Sequence, residues 1–439
     1  MKWVSLAAAA VSAVSCDPRR FDDLEDSAWV QFADRNDSQA SGTLGFDIAA
    51  VPVADGKKGA RFVVASNSPA GLSLVTFDEN GSLSDQLGRN ALATSGGQLA
   101  PLNSKAAWTQ SLTSYPGNFV LVGQPDQKLA AKLDVGLTTG NAVGTSQDQY
   151  YGLAIAVGDL GSGATAPDIA IVSQLALTIV SGKDGKQKTC GIKSPNQNMG
   201  VTVPLGNVLI APIKKNGHNQ IILTGRVLSG DVPKILVIEP GDIVDTMNCP
   251  ETGFSTGVSG EQPAVSLAIG DFDGTPGLDL VAGFNPQTGG KAGSVLIYPN
   301  ISDFANPASM AITTPADDGP SPLYGSRLRI ANLDDDATPE LIVGDATSPV
   351  NNVSQAGRVW VYKATGCGDL PKRGPVCVMA ALSDPSPSTN DLFGEAIAAS
   401  PFPTADATKN VLAVGEKNRV WVYFRVTATN DKDLRANRQ

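Results

Sequence analysis

A short apolar run bounded by turn-forming residues returns seven times along the chain: Arg61–Ser66, Asn118–Gln124, Pro167–Ser173, Asn219–Gly225, Leu278–Gly283, Pro339–Gly344 and Asn410–Gly415. The copies are dominated by Val, Ile, Leu and Ala without polar alternation, as expected of strands buried on both faces. They recur at a spacing of about 50 to 70 residues. Most copies follow another apolar strand: Phe46–Ala50, Leu153–Val157, Val265–Ile269, Ser326–Ile330 and Glu395–Ala399. Four of these come directly after Leu44-Gly45, Tyr151-Gly152, Tyr324-Gly325 or Phe393-Gly394. A third strand comes next, as in Gly293–Tyr298, Gly357–Tyr362 and Asn418–Tyr423, and a weaker fourth is visible in Val376–Leu382.

Four-stranded units repeating at this period predict an all-β chain, a seven-bladed β-propeller of four-stranded antiparallel blades. The last unit has no fourth strand of its own, because Thr427–Gln439 is polar. Ala28–Ala33, ahead of the first unit, has strand character and is expected to pair with Arg419–Val426, closing the ring and removing an open edge. The expected organisation is therefore a signal peptide over 1–15, a lipidated tether over 16–27, the propeller over 28–426 and a polar tail over 427–439.

Composition agrees with short strands and many turns: 46 Gly and 29 Pro in 439 residues, with 17% charged side chains. The net charge of −10 repels nucleic acid and anionic headgroups, so no nucleic-acid role is expected. Met1–Ser15 holds one Lys and then an apolar run too short to span a bilayer, as in a secretory signal. Ala13-Val14-Ser15-Cys16 resembles the lipobox of bacterial lipoproteins, with Ala13 where that family usually has Leu. The resemblance implies lipidation at Cys16 and an outer-membrane or cell-surface position in the envelope. The alternative is an ordinary exported chain in which Cys16 is incidental. No later stretch is apolar enough to cross a membrane as a helix, so attachment is expected only through this end.

The other cysteines are Cys190, Cys249, Cys367 and Cys377. In an exported chain an even count reads as two disulfides, Cys367 with Cys377 across a short turn-rich segment and Cys190 with Cys249 by elimination. Four reduced thiols are the other reading. No Cys-x-x-Cys pair is present, which argues against zinc.

Aromatic-Gly, an apolar strand, an acidic turn, Pro-Asp/Glu-Leu-Ile-Val-Gly and then Gly-x-Val-x-Val-Tyr together resemble the FG-GAP repeat of integrin α-subunit propellers. The likeness runs over roughly 44–425 and is strongest in units five and six. Two acidic turns carry it furthest. Unit five offers Asp271, Asp273, Thr275, the Gly277 carbonyl and Asp279; unit six offers Asn332, Asp334, Asp336, Thr338 and Glu340. Oxygens at alternate positions of a tight loop suit a hard divalent cation that takes six to eight of them. The resemblance implies structural Ca²⁺ in both turns, although Thr275, Asn332 and Glu340 depart from the family's acids. Side-chain turns to backbone, without metal, are the alternative. Unit three (Asp159 to Asp168) lacks the middle acids, and unit four has Lys214-Lys215 there, so neither is expected to bind metal.

The sequence offers no histidine-based nucleophilic apparatus. The single histidine, His218, lies in a predicted turn and no Gly-x-Ser-x-Gly elbow accompanies it. Ser181–Lys186 lacks the spacing of a phosphate loop and reads as a hairpin turn. The expected role is therefore non-enzymatic: a binding or adhesion scaffold for a protein or glycan. The family likeness puts partner loops on the face opposite the metal turns. There Asn285, Gln287 and Thr288 in unit five and Asn351, Asn352 and Gln355 in unit six offer hydrogen-bonding side chains, or else form plain loops. An architectural subunit of an envelope complex and a polysaccharide-active enzyme using paired acids are the competing readings. Asn36, Asn80, Asn300 and Asn352 begin Asn-x-Ser sequons, which matter only in a glycosylating source, and the lipobox-like start argues against one.

Overall fold

The computed structural model describes residues 29–33, 44–50, 59–67, 70–78, 83–89, 91–93, 99–101, 108–111, 119–124, 129–134, 140–145, 151–152, 154–161, 167–173, 176–191, 208–214, 218–226, 233–242, 249, 253–255, 264–284, 292–301, 307–312, 321–334, 336–368, 370–384, 386–401, 410–417 and 419–423. Signal, Cys16, tether, tail and the loop holding Asn285, Gln287 and Thr288 lie outside them. The described chain is all-β, and its sheets are antiparallel.

After β1 (Trp29–Ala33), sheet one contains β2 (Leu44–Ala50), β3 (Ala60–Asn67), β4 (Ala70–Phe77) and β5 (Leu83–Arg89). A two-stranded ribbon, β6 (Ala91–Ala93) and β7 (Leu99–Pro101), precedes sheet two: β8 (Trp108–Ser111), β9 (Phe119–Gln124), β10 (Leu129–Asp134) and β11 (Gly140–Thr145). Sheet three is β12 (Ala154–Gly158), β13 (Asp168–Val172), β14 (Ala176–Val180) and β15 (Gln187–Gly191). Sheet four is β16 (Leu209–Ala211), β17 (Gln220–Arg226), β18 (Pro233–Ile238) and β19 (Gly253–Ser255). Sheet five is β20 (Ser266–Gly270), β21 (Asp279–Phe284), β22 (Ser294–Tyr298) and β23 (Met310–Ile312). Sheet six is β24 (Tyr324–Ala331), β25 (Glu340–Asp345), β26 (Arg358–Lys363), β27 (Lys372–Arg373) and β28 (Val376–Leu382). Sheet seven takes β29 (Ala396–Pro401), β30 (Asn410–Glu416) and β31 (Arg419–Tyr423).

Sheets one to five keep chain order, so each is a meander of hairpins. Sheet six adds β27, from between the last two cysteines, outside β28. Sheet seven runs β29-β30-β31-β1, with Trp29 opposite Tyr423 and Ala33 opposite Arg419, the pairing expected from the sequence.

Burial falls from the second strand outward, and this explains which strands the residue pattern reveals. Strands β13, β21 and β25 are buried at every residue. Outer strands β15 and β23 have one buried residue each, and their sequences, Gln-Lys-Thr-Cys-Gly and Met-Ala-Ile, carry no strand signal. The apolar clusters lie between consecutive sheets: three with four, four with five, five with six, six with seven, and seven with one. First strands meet in the same succession, β2 with β8, β8 with β12, β12 with β16, β16 with β20, β20 with β24, β24 with β29 and β29 with β2.

Recurrent glycines make these close approaches possible. The aromatic-Gly pairs place Tyr151, Tyr324 and Phe393 in the interior, and their glycines take φ of 90°, 84° and 93°, a left-handed region other residues rarely adopt. The next sheet's turn is received on glycines that end second strands or precede third strands. A Cβ on Gly283 would stand 1.9 Å from the Gly325 carbonyl oxygen, and one on Gly293 would stand 2.1 Å from that of Tyr324. Gly344 and Gly357 meet Gly394 and Phe393 in the same way. The repeated motif is thus the two halves of one contact, read in adjacent sheets.

Cys190 and Cys249 form a disulfide (Cα–Cα 4.9 Å) that joins the end of β15 to the segment before β19, across sheets three and four. Cys367 and Cys377 form the second (5.8 Å) within sheet six. Two such bridges point to an oxidising, extracytoplasmic setting. Ser181–Lys186 is the β14–β15 hairpin turn, closed by Ser181 N–H to the Lys186 carbonyl at 2.9 Å.

If glycine contact is what lets the sheets approach, Gly283→Ala should lose about 1–3 kcal/mol in urea unfolding. Gly241→Ala, with nothing within 4 Å of its added Cβ, should stay within about 0.5 kcal/mol of the parent. Equal effects at the two positions would refute the packing assignment.

Candidate metal centre

In sheets three to six the residue that opens the second strand enters the interior, and a polar side chain there needs partners. Asp168, Asp279, Glu340 and Gln220 occupy this place and are all buried. Asp168 accepts the N–H of Leu160 (2.9 Å) from the turn before it and that of Gly182 (2.8 Å) from the turn after β14. Asp279 repeats the arrangement with Phe272 (2.8 Å) and Asp273 (2.9 Å) on one side and Asn300 (2.9 Å) on the other. Glu340 accepts Leu333 N–H at 2.7 Å. In sheet four a neutral amide serves, with Gln220 Oε1 accepting Lys214 N–H at 3.0 Å. Asp168, Asp279 and, through Gln220 Nε2 to Glu239 at 3.3 Å, Gln220 thus tie two turns together whether or not the side chain is charged, whereas Glu340 hydrogen-bonds the turn before it.

In the turn between β20 and β21, Asp271, Asp273 and Asp279 bring carboxylate oxygens within 4.8 Å of one another. Asp273 accepts both the backbone N–H (2.8 Å) and the hydroxyl (2.6 Å) of Thr275, and Asn300 Nδ2 donates to the Thr275 hydroxyl at 2.8 Å. Gly277 (φ 145°) is packed on Asn300, whose Oδ1 would lie 1.9 Å from an added Cβ. Burial pushes the Asp279 carboxyl above its ordinary value, and its three backbone N–H partners offset this only in part. No ammonium or guanidinium among the described residues pairs with the three acids. Each carboxylate oxygen keeps accepting capacity beyond its N–H partner, so this turn fits a hard divalent cation.

The turn between β24 and β25 is differently filled. Asp334, Asp336 and Glu340 are also within 4.8 Å of one another. Lys363, at the end of β26, brings its ammonium to Asp334 (2.5 Å), to Asp336, and to within 3.7 Å of Glu340. Burial pulls the Lys363 ammonium down, but hydrogen bonds to Asp334 and Asp336 carry it above the usual lysine value. Burial and the nearby Asp334 push Glu340 up to about 7, against the Leu333 N–H and Lys363. Asn332 Nδ2 donates to the Asp336 carbonyl at 2.6 Å, and Thr338 N–H donates to Asp336 at 2.8 Å. The acids could hold a metal ion, but only in competition with the resident ammonium. Lys363 was not among the residues picked from the sequence, because nothing in its local motif points to a turn so far upstream.

A third acidic group, also unseen in the sequence, joins Asp384, Asp391 and Glu416. Arg419 lies against it, 2.9 Å from Asp384 and 3.4 Å from Glu416. Burial and Asp384 push Glu416 up to about 8, opposed by the Trp421 indole N–H and Arg419.

Of the expected partner-loop residues, Asn351, Asn352 and Gln355 are exposed at the opposite end of sheet six from the carboxylate turn. His218 is exposed in the turn before β17. Neither the family models nor the curated proteins searched contain a match to this chain.

The raised Glu416 has a signed consequence. Its proton is held more tightly in the folded chain, so its contribution is fully present below the ordinary 4.5. That contribution is lost as pH rises toward about 8. Melting temperature should therefore fall less steeply between about pH 5 and pH 8.5 in Glu416→Gln than in the parent. Parallel profiles would rule out a buried, proton-holding Glu416.

Proposed function

We propose that this chain is an exported, lipid-anchored, non-catalytic β-propeller of the integrin-like FG-GAP type, a scaffold that binds a protein or glycan in the cell envelope. The seven principal sheets are its blades, and the unbroken succession of first-strand contacts from sheet one round to sheet seven and back supports closure. Structural Ca²⁺ belongs in the 271–279 turn. Cys16 carries the lipid, and the residues before β1 form a short tether.

The observation that carries the binding reading is local backbone conformation. Six non-glycine residues among those described have positive φ, and five of them lie in two touching loops: Asn351 (51°), Asn352 (64°), Gln355 (53°), Asn390 (66°) and Leu392 (58°). Such conformations cost free energy and persist where surrounding structure enforces them, commonly at ligand sites. Here the enforcement is visible: Asn390 N–H to the Ser354 carbonyl (3.3 Å), Leu392 N–H to Gln355 (3.2 Å) and Phe393 N–H to Ala356 (2.9 Å). Lys417 N–H adds the neighbouring turn through the Asp391 carbonyl at 2.7 Å. The product is a pre-ordered platform with exposed amide side chains, which suits recognition of sugar hydroxyls or peptide backbone.

Replacing Asn351, Asn352 and Gln355 together by Gly removes the amides while keeping a residue at home in that backbone. Retention of glycans and of envelope proteins on the immobilised chain should drop at least tenfold, with the melting temperature unchanged. Undiminished retention would sink the platform, and turnover of a glycan would replace binding by catalysis. Separately, millimolar Ca²⁺ should raise the melting temperature relative to EDTA, and Asp271→Ala should abolish the rise. Lack of any rise in the parent would remove calcium from the reading.

A further inference from the structure

The strand register assigns equivalent positions in four sheets. Leu280, Leu341, Ile221 and Ile169 each directly follow the polar residue that opens strand two. They pair respectively with Tyr298, Tyr362, Ile238 and Val180 at the end of strand three. The next residue in each case is Pro299, Lys363, Glu239 or Ser181, and the side chains of Lys363 and Glu239 reach the turn between strands one and two. Their chemistry is complementary to the turn they meet. In sheet six the turn is acidic and the position is Lys363. In sheet four the turn is basic and the position is Glu239, which pairs with Lys214 at 2.8 Å. In sheet three Asp168 takes the N–H of Gly182, one residue on, and the other acid of that turn, Asp159, is exposed. Sheet five sets three clustered acids against a residue that supplies no charge, Pro299; Ser181 of sheet three supplies none either, but the acids there are only Asp159 and Asp168, which form no such three-acid group.

We propose that the residue one beyond this paired position, where strand three ends, decides whether a cluster of acids in the facing turn recruits a metal ion, and that Lys363 is the resident cation of the 332–340 turn, which consequently binds no calcium. Two of the three carboxylates meet the ammonium directly, and the lysine side chain is only 10% exposed. A divalent ion would have to expel a buried ammonium from its paired acids and leave it without a partner, a costly exchange. The 271–279 turn lacks such a group, so there the charge must come from solution. This inference extends the calcium reading of sheet five but does not stand or fall with it, because its decisive variant lies in sheet six.

The test is equilibrium dialysis of the full-length chain against Ca²⁺, with thermal unfolding in EDTA and in millimolar Ca²⁺. The parent should bind one ion, and Asp334→Asn/Asp336→Asn should leave that number unchanged. Lys363→Met should raise it from one to two, and Pro299→Lys should reduce it to none. A Lys363→Met chain that folds only in calcium gives the same answer as the second bound ion. Loss of an ion from the Asp334→Asn/Asp336→Asn chain would overturn the proposal, as would a folded Lys363→Met chain with no added ion. If Lys363→Met folds under neither condition, the Asp334→Asn/Asp336→Asn stoichiometry decides alone. If the parent binds no ion, the calcium turn of sheet five fails, while a gained ion in Lys363→Met would still establish Lys363 as the resident cation.

Discussion

Sheets three to six depend on one constraint: a polar side chain at the head of a buried second strand has to find its partners in the turns that fold over it. Leaving such a group unsatisfied costs about 1–3 kcal/mol, and more when it is charged. Asp168, Asp279 and Gln220 meet this need with backbone N–H groups from flanking turns, and Glu340 meets it at one oxygen, the other lying 3.7 Å from the Lys363 ammonium. The turns are thereby fixed relative to the strands. Charge is a second question, answered differently in each sheet: by ammonium in six, by an inverted pair in four, and by nothing within the described chain in five.

Sheets six and seven separate two tasks by end. Where strand one of sheet six turns into strand two, carboxylates and the Lys363 ammonium hold the turn together. At the other end, the loops 351–357 and 386–394 and the turn at Lys417 are joined to one another mainly through backbone, which leaves side chains such as Asn351 and Asn352 facing outward. The acidic group of Asp384, Asp391 and Glu416 belongs to this second end, with Arg419 drawing it together. Rigidity at one end and displayed amides at the other come from the same antiparallel meander, because successive turns must alternate ends.

The sequence exposes second strands well, since a run such as Leu341-Ile-Val-Gly is apolar on both faces and flanked by Pro and Asp. Third strands ending in Tyr298, Tyr362 and Tyr423 are nearly as clear. Outer strands are hidden because exposure relaxes their composition, as in β15, and β27 is too short and too basic to signal a strand. The three acids of the sheet-five turn were legible, lying within nine residues, but Asn300, which bonds Asp279 and Thr275 from beyond strand three, was not. The sheet-six turn was legible only in its acids, because Lys363 reaches it across a strand pairing. Asp384, Asp391 and Glu416 were likewise invisible, separated along the chain and brought together only by docking of the loop before β29.

The pairing of Trp29 with Tyr423 also sets a timetable. A chain passed outward from its N-terminus delivers β1 first, yet the partner of β1 arrives last, after every other sheet has been supplied. Until then β1 has no partner, and once β31 has paired with β30 its other edge, along Val420, Trp421, Val422 and Tyr423, is open to a strand from another molecule until β1 docks. Contacts of such long sequence separation form slowly. The final step of folding is thus the capture of the oldest segment by the newest, and the interval before that capture is when the molecule is most exposed to misassembly.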